Sequence, residues 1–213
     1  MDQRRSPSSP RAPGLEPFTG KGSLTPEAAY DSLAFDGQDF SGQAAALVAI
    51  SRSTLARVNL ADTRLPRLGL AEVRLEACDM ANAVWEKAHF AKVRLEGCRM
   101  VGLNLSGALL KGTVFEGCNA SFANFTSVSC KETRFQDCNL RGCSFQEADL
   151  RGVVFRGSDL GEAQFSFARL EHADFRGAEI KGIQVRIEDL EGAIVDPAQA
   201  AYLAGLMGLK IIP

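Results

Sequence analysis

From Phe35 to Val195 every fifth residue is apolar: thirty-three consecutive positions, with no polar residue and no slip of phase. An α-helix repeats every 3.6 residues and a β-strand every 2, so neither element produces a period of five. An insertion of any length other than a multiple of five would have broken the run. The residue two places earlier is mostly Ala, Cys, Val or Thr, with Gln38, Gln43 and Glu188 as exceptions. Asn or Asp often stands immediately before the large residue, as at Asn59, Asp79, Asn104, Asn139, Asp149 and Asp174. Glycine recurs two places after it, at 97, 102, 107, 112, 117, 142, 152, 157, 177, 182 and 192.

These letters approximate A(D/N)LXX, and over about three quarters of its length the chain resembles the pentapeptide-repeat family. The fold class that the resemblance implies is an all-β solenoid, a right-handed quadrilateral β-helix with four pentapeptides per coil and about eight coils here. The residues agree with such a square coil. Each side supplies one large and one small inward side chain, and the next two residues turn the corner. Glycine suits a tight turn, and Asn or Asp can hydrogen-bond the local backbone there. A single unit is too small to bury its own apolar face, so stability comes from stacking on its neighbours. Coils stacked ~4.8 Å apart give a rod roughly 40 Å long. Its interior is a filled column with no channel or pocket, and Trp85 reads as a local widening packed by smaller neighbours.

The rest of the chain divides around this body. The opening MDQRRSPSSPRAPG is polar and proline-rich, so residues 1–23 read as a disordered tail with no secretory signal. Residues 24–34 read as an N-terminal cap, with Thr25, Pro26 and Glu27 starting a short helical turn through Ala29 and Tyr30. Residues 35–195 are the repeat body, and residues 196–213 are a C-terminal capping helix and dimerisation segment. No apolar run is long enough to cross a membrane, and the cytoplasm is the expected address. Cys78, Cys98, Cys118 and Cys138 are twenty apart, one coil, and form a ladder of small inward residues. Cys143 fills the same slot on the next side and Cys130 a large-residue slot, so all six read as buried free thiols. No zinc-ligand spacing occurs.

Nothing in the sequence assembles a catalytic site. His89 and His172 lie about four coils apart on outward slots, and no nucleophile motif or phosphate-binding loop is present. Glu76, Glu96 and Glu116 stack beside Arg74 and Arg94 and read as a solvated face of compensating charges. The expectation is a non-enzyme without cofactor or metal. The surface offers two outward aromatics, Phe122 and Phe167, and a basic column of Lys111, Lys131 and Arg151 that gives way to Glu171 and Glu191. Residues 159–195 carry four bases against eight acids: Asp159, Glu162, Glu171, Asp174, Glu179, Glu188, Asp189 and Glu191. The expected partner-binding surface is this acidic end.

After Val195 the period stops. Asp196 is placed to cap a helix, Pro197 to begin it and Gly208 to end it. Tyr202, Leu203, Leu206 and Met207 make one apolar stripe, and Leu209, Ile211 and Ile212 add more than one open coil needs. A two-fold dimer through Tyr202, Leu203, Leu206, Met207, Leu209 and Ile211 is therefore expected. Val195, Asp196, Gln199, Ala200, Leu203, Gly208, Leu209 and Ile212 match an ending that resembles that of the Qnr/MfpA-type gyrase-protecting proteins. That resemblance implies C-terminally joined dimers that imitate DNA, bind DNA gyrase or topoisomerase IV and relieve quinolones or other topoisomerase poisons, as antibiotic resistance or producer self-immunity. It implies no direct binding of nucleic acid or membrane. The unbroken register, without room for long projecting loops, is more like the MfpA type. The alternative is an interaction scaffold with no topoisomerase link.

Overall fold

Three-residue strands form because each five-residue side can hold only one large inward residue between two corners. A computed structural model of the chain describes residues 14–20, 22–206, 208–210 and 212. It is a parallel all-β solenoid with a short C-terminal helix. One side carries a seven-stranded ladder from Glu16–Pro17 to Arg134–Gln136, and the next side a six-stranded ladder from Ala29–Asp31 to Ser129–Lys131. The two remaining sides are joined by single-residue parallel bridges such as Asn59↔Asp79 and Val84↔Asn104. Apart from the first pair, Glu16↔Leu33, partners stand twenty residues apart, as in Leu75↔Leu95. The paired strands make about six turns, and bridges carry the same register on to Asp174↔Ile194. At twenty residues per coil, Phe35 to Val195 is eight coils, the expected number.

The corners share one backbone solution. The residue two after each large inward position has a positive φ from Glu27 to Gly182, and again at Gly192. Many are not glycine: Arg67 has φ 59°, Lys87 56° and Asp137 52°. A left-handed residue with a Cβ costs about 1 kcal/mol. The next coil offsets that cost, because the corner N–H donates to a carbonyl nineteen residues on, as Lys87 N does to Ser106 O at 2.9 Å. The Asn and Asp before the large residue work as the sequence suggests. Asn119 Oδ1 accepts from Ser121 N at 3.2 Å and Asn139 Oδ1 from Arg141 N at 3.1 Å.

The column inside changes character along the rod. Leu and Met dominate its first half, whereas Phe115, Phe135, Phe155 and Phe175 stack on one side of the second half. Phe125, Phe145 and Phe165 stack on another. Trp85 is buried as expected, and its Nε1 donates to Thr63 Oγ1 of the coil below at 2.9 Å, a bond that spacing alone did not reveal. Thr63 Oγ1 itself donates to Leu60 O at 2.7 Å. Thr63→Val keeps the shape but strands the indole N–H, so it is expected to cost about 1–3 kcal/mol in chemical denaturation. Thr63→Ser should recover most of this; a valine variant as stable as the parent would remove the bond from the account.

Both ends correct the sequence reading in part. Residues 1–13 and 21 of the expected disordered tail lie outside the described residues. The remainder is ordered: Glu16–Pro17 adds a strand to Leu33–Asp36, and the Phe18 ring stacks on Phe35 at 4.5 Å. The helical turn expected through Ala29 and Tyr30 is instead the strand Ala29–Asp31, because its twenty-residue partner Ala49–Ser51 pairs with it. A cap does exist, with Leu24 buried and Gln43 bridging outward: its Oε1 accepts from Leu24 N and its Nε2 donates to Gly22 O, both at 2.8 Å. At the other end the helix Pro197–Leu206 follows Asp196. Gln199 N donates to Asp196 Oδ1 at 2.9 Å and Asp196 N to Gln199 Oε1 at 3.0 Å, a reciprocal capping box. The helix ends before Gly208, whose φ is 82°.

Candidate functional surface

A column filled by side chains leaves only the skin and the ends for function. All six cysteines are buried free thiols. Cys78, Cys98 and Cys118 each point a thiol at a carbonyl twenty-three residues back, at 3.3, 3.6 and 3.5 Å. Burial pushes the thiols of Cys130 and Cys143 up to about 12, far from the reactive thiolate range. Among the described residues no group of His, Cys, Asp and Glu is placed to hold a metal ion, and no helix is long and apolar enough to cross a membrane.

The eight acidic residues are spread around the rod rather than gathered on one face. Asp159 and Glu162 both meet Arg141, at 3.6 and 2.6 Å, and Glu179 accepts Lys181 N at 2.8 Å. Asp174 lies on another side and pairs with Arg176 at 2.7 Å, which holds its carboxyl below the usual range. Asp159 and Glu179 are neighbours in successive coils, and Glu171, Glu188, Asp189 and Glu191 form a second group. This second group lines an open depression of about 540 Å³ with Arg151, Arg169, His172 and Phe167.

That depression exists because the coil breaks there. Ile187–Leu190 forms a single 3-10 turn, and Ile187 is the one corner in the run without a positive φ. Asp189 Oδ2 accepts Phe167 N at 2.8 Å, in place of the carbonyl that the next coil would otherwise present. Arg186 lies 4.4 Å from the centre of the Phe167 ring and pairs with Glu188 at 3.3 Å. Within the acidic set, therefore, Asp189 supports the fold, while Glu188, Glu171 and Glu191 are all exposed, Glu188 paired with Arg186 and Glu171 lying 3.8 Å from His172. The sequence held a signal for this turn: Glu188 is a charged residue in a slot reserved for small inward side chains. Gln43 is the matching signal at the other end.

The expected dimer surface divides in two. Leu203 is buried on the last coil of its own chain, and Tyr202 is half-buried with its hydroxyl accepting Gly182 N at 2.7 Å. Both serve the cap, because the open coil must satisfy its own N–H groups and cover its own apolar centre, and Leu203 has little surface left over while Tyr202 keeps part of its own. Leu206 and Leu209 are exposed at 54% and 59%, and Ile212 at 81%, leaving an apolar end. Met207 and Ile211 lie outside the described residues. Sequence spacing missed the centre of the cap: Gln199 is buried, and its Nε2 donates to Phe175 O at 2.6 Å and Ala178 O at 2.8 Å.

A family model described as a pentapeptide repeat region matches residues 48–125 and 113–185. Among solved structures, the chain is similar to a trypsin-treated form of QnrB1, a plasmid-mediated fluoroquinolone resistance protein. The identity is 21%, over 86% of this chain and 99% of that one, with a TM-score of 0.43. It is also similar to HetL, a pentapeptide repeat protein involved in heterocyst differentiation regulation in the cyanobacterium Nostoc. There the identity is 21%, over 81% of this chain and 86% of that one, with a TM-score of 0.38. Rfr23 from the cyanobacterium Cyanothece is 15% identical over 82% and 92% of the two chains, with a TM-score of 0.22. No curated protein matches the chain.

Proposed function

The chain belongs to the pentapeptide-repeat family, and from that premise we propose that it is a non-catalytic partner of DNA gyrase or topoisomerase IV that takes the place of DNA and protects the enzyme from topoisomerase poisons. The observation that carries this reading is the construction of the C-terminal end. The motif residues Asp196, Gln199 and Leu203 close the last coil, and Leu206, Leu209 and Ile212 are left uncovered beyond it. Joining two chains there would cover the apolar end, lengthen the rod and bring two copies of Glu171 and Glu191 toward its centre. A solid rod acts through shape and charge, which suits competition with a duplex for a groove.

One observation favours a second reading, an interaction scaffold unconnected with topoisomerases. Basic partners neutralise much of the acid surface, as Arg141 does Asp159 and Glu162, and Arg176 does Asp174. The two readings part in a supercoiling assay. With a poison present, the protein is expected to restore supercoiling in a dose-dependent way and to co-elute with the enzyme. Leu206→Asp combined with Leu209→Asp should shift the assembly from dimer to monomer and lose protection. Unrelieved poisoning at every concentration, with no complex, would leave the scaffold reading in possession.

A further inference from the structure

The side of the rod that carries Leu105, Phe125, Phe145 and Phe165 inward differs from the other three. Its outward residues over four successive coils are Asn104 and Ser106, Asn124 and Thr126, Ser144 and Gln146, and Gln164 and Ser166. None is charged. In the same coils the other sides carry Lys111, Lys131 and Arg169, or Glu116, Arg134 and Arg156, or Arg99, Arg141 and Asp159. Most amides and hydroxyls of this strip are already ordered by one another, and Asn104 Nδ2 donates to Glu86 Oε1 of the preceding coil at 3.1 Å. Thr126 Oγ1 and Ser144 Oγ are 2.9 Å apart, and Gln146 Nε2 donates to Gln164 Oε1 at 2.9 Å. Asn124 Oδ1 accepts Thr126 N at 2.9 Å. Hydrogen-bonding capacity remains on the outside. Among the described residues, Asn124 Nδ2, Gln146 Oε1, Gln164 Nε2 and the hydroxyl of Ser166 meet no protein partner.

The two outward aromatics of the rod's body flank this strip. Phe122 stands at the corner on one edge, 69% exposed, and Phe167 at the corner on the opposite edge, 62% exposed. Neither ring hangs free. The Phe122 ring lies over Gly142, where a Cβ would come within 2.7 Å of it, and Arg186 holds one face of Phe167. Ordered aromatics are platforms for flat apolar faces.

We propose that this strip binds a neutral polysaccharide, an uncharged hydroxyl-rich chain lying along the rod. The dimensions favour a linear occupant. A side holds three extended residues, so the strip is ~10 Å wide and, over four coils, roughly 15–20 Å long. That outline is roughly 150–200 Å², well short of the ~800 Å² per partner that a stable protein interface covers. A globular partner would have to wrap both corners onto charged sides. The charge fits the same occupant. The strip's own side chains are neutral, and the charges at its margins are of both signs: Glu86 beside Asn104, Glu147 at the Ser127 corner and Arg186 on Phe167. A phosphate or sulfate chain therefore meets no continuous row of cations, whereas sugar hydroxyls can exchange hydrogen bonds with amides and rest their C–H faces on Phe122 and Phe167.

The test is titration of the full chain with neutral glucan, mannan and galactan hexasaccharides, monitored by calorimetry, beside a heparin fragment and duplex DNA. At least one neutral hexasaccharide should bind. Phe122→Ala should weaken it about tenfold, and Thr126→Lys should do the same by placing a charge mid-strip. Leu109→Ala, on the next side, should leave affinity and melting temperature unchanged. The proposal is overturned if no neutral sugar binds, if binding ignores both strip substitutions, or if the polyanions alone bind.

Discussion

Phe145→Ala is expected to lower the unfolding free energy by about 3–5 kcal/mol, the usual cost of emptying a large aromatic site in a core that collapses poorly. Phe145 is fully buried, with Phe125 and Phe165 stacked on either side at 4.9 and 5.2 Å. Phe135 and Phe155 meet it edge to face at 6.0 and 5.8 Å. The backbone around it is pinned by hydrogen bonds to the coils above and below, such as Phe145 N to Gln164 O at 2.7 Å. It cannot close over the void. Chemical denaturation of Phe145→Ala beside Phe122→Ala, whose ring is exposed, isolates the core contribution. A loss below about 1 kcal/mol at Phe145 would mean that the column relaxes far more freely than a solenoid core should.

Gln199→Ala should cost about 2–4 kcal/mol and loosen the C-terminal end before the rest of the rod. One side chain serves the carbonyls of Phe175 and Ala178 and the N–H of Asp196. Alanine leaves the two buried carbonyls and the partly buried N–H without a partner, each at about 1–3 kcal/mol unless water reaches it. Gln199→Glu separates donor from acceptor. An ionised carboxylate can still accept from Asp196 N but cannot donate to the two carbonyls, so the loss should persist at neutral pH and shrink once the group is protonated. Hydrogen exchange should show faster opening around Phe175 and Ala178, with light scattering rising as the bare coil edge is exposed. Unchanged exchange at those sites would show that the helix holds the end by apolar contact alone.

Much of this was legible because the period of five fixes both the inward residues and, through the twenty-residue coil, which residues stack. Cys78, Cys98 and Cys118 were placed in one ladder by arithmetic, as the structure has them. The ion pairs follow the same arithmetic, though total charge hid them. Arg74 reaches Glu96 and Arg94 reaches Glu116, each twenty-two residues on, so an acid-rich count overstates the open negative surface. The ends were less legible because they obey different physics. A terminal coil must satisfy hydrogen bonds that every other coil satisfies with its neighbour, and it recruits side chains for this: Gln43 at one end, Asp189, Gln199 and Tyr202 at the other. Two of the three polar exceptions in the small inward column, Gln43 and Glu188, mark those ends. The neutral strip was written in the sequence too, but it emerges only when residues are read by side rather than in order.

The left-handed corners that recur at every step from Glu27 to Gly182 have a consequence for how such a molecule can change its size. Because each coil begins and finishes in the same backbone state, a block of twenty residues can be duplicated or excised in the gene while both lids stay attached to identical steps. Length is thereby quantised in increments of ~4.8 Å, with each flank keeping its orientation. Selection can treat the protein as a ruler and adjust its reach one notch at a time.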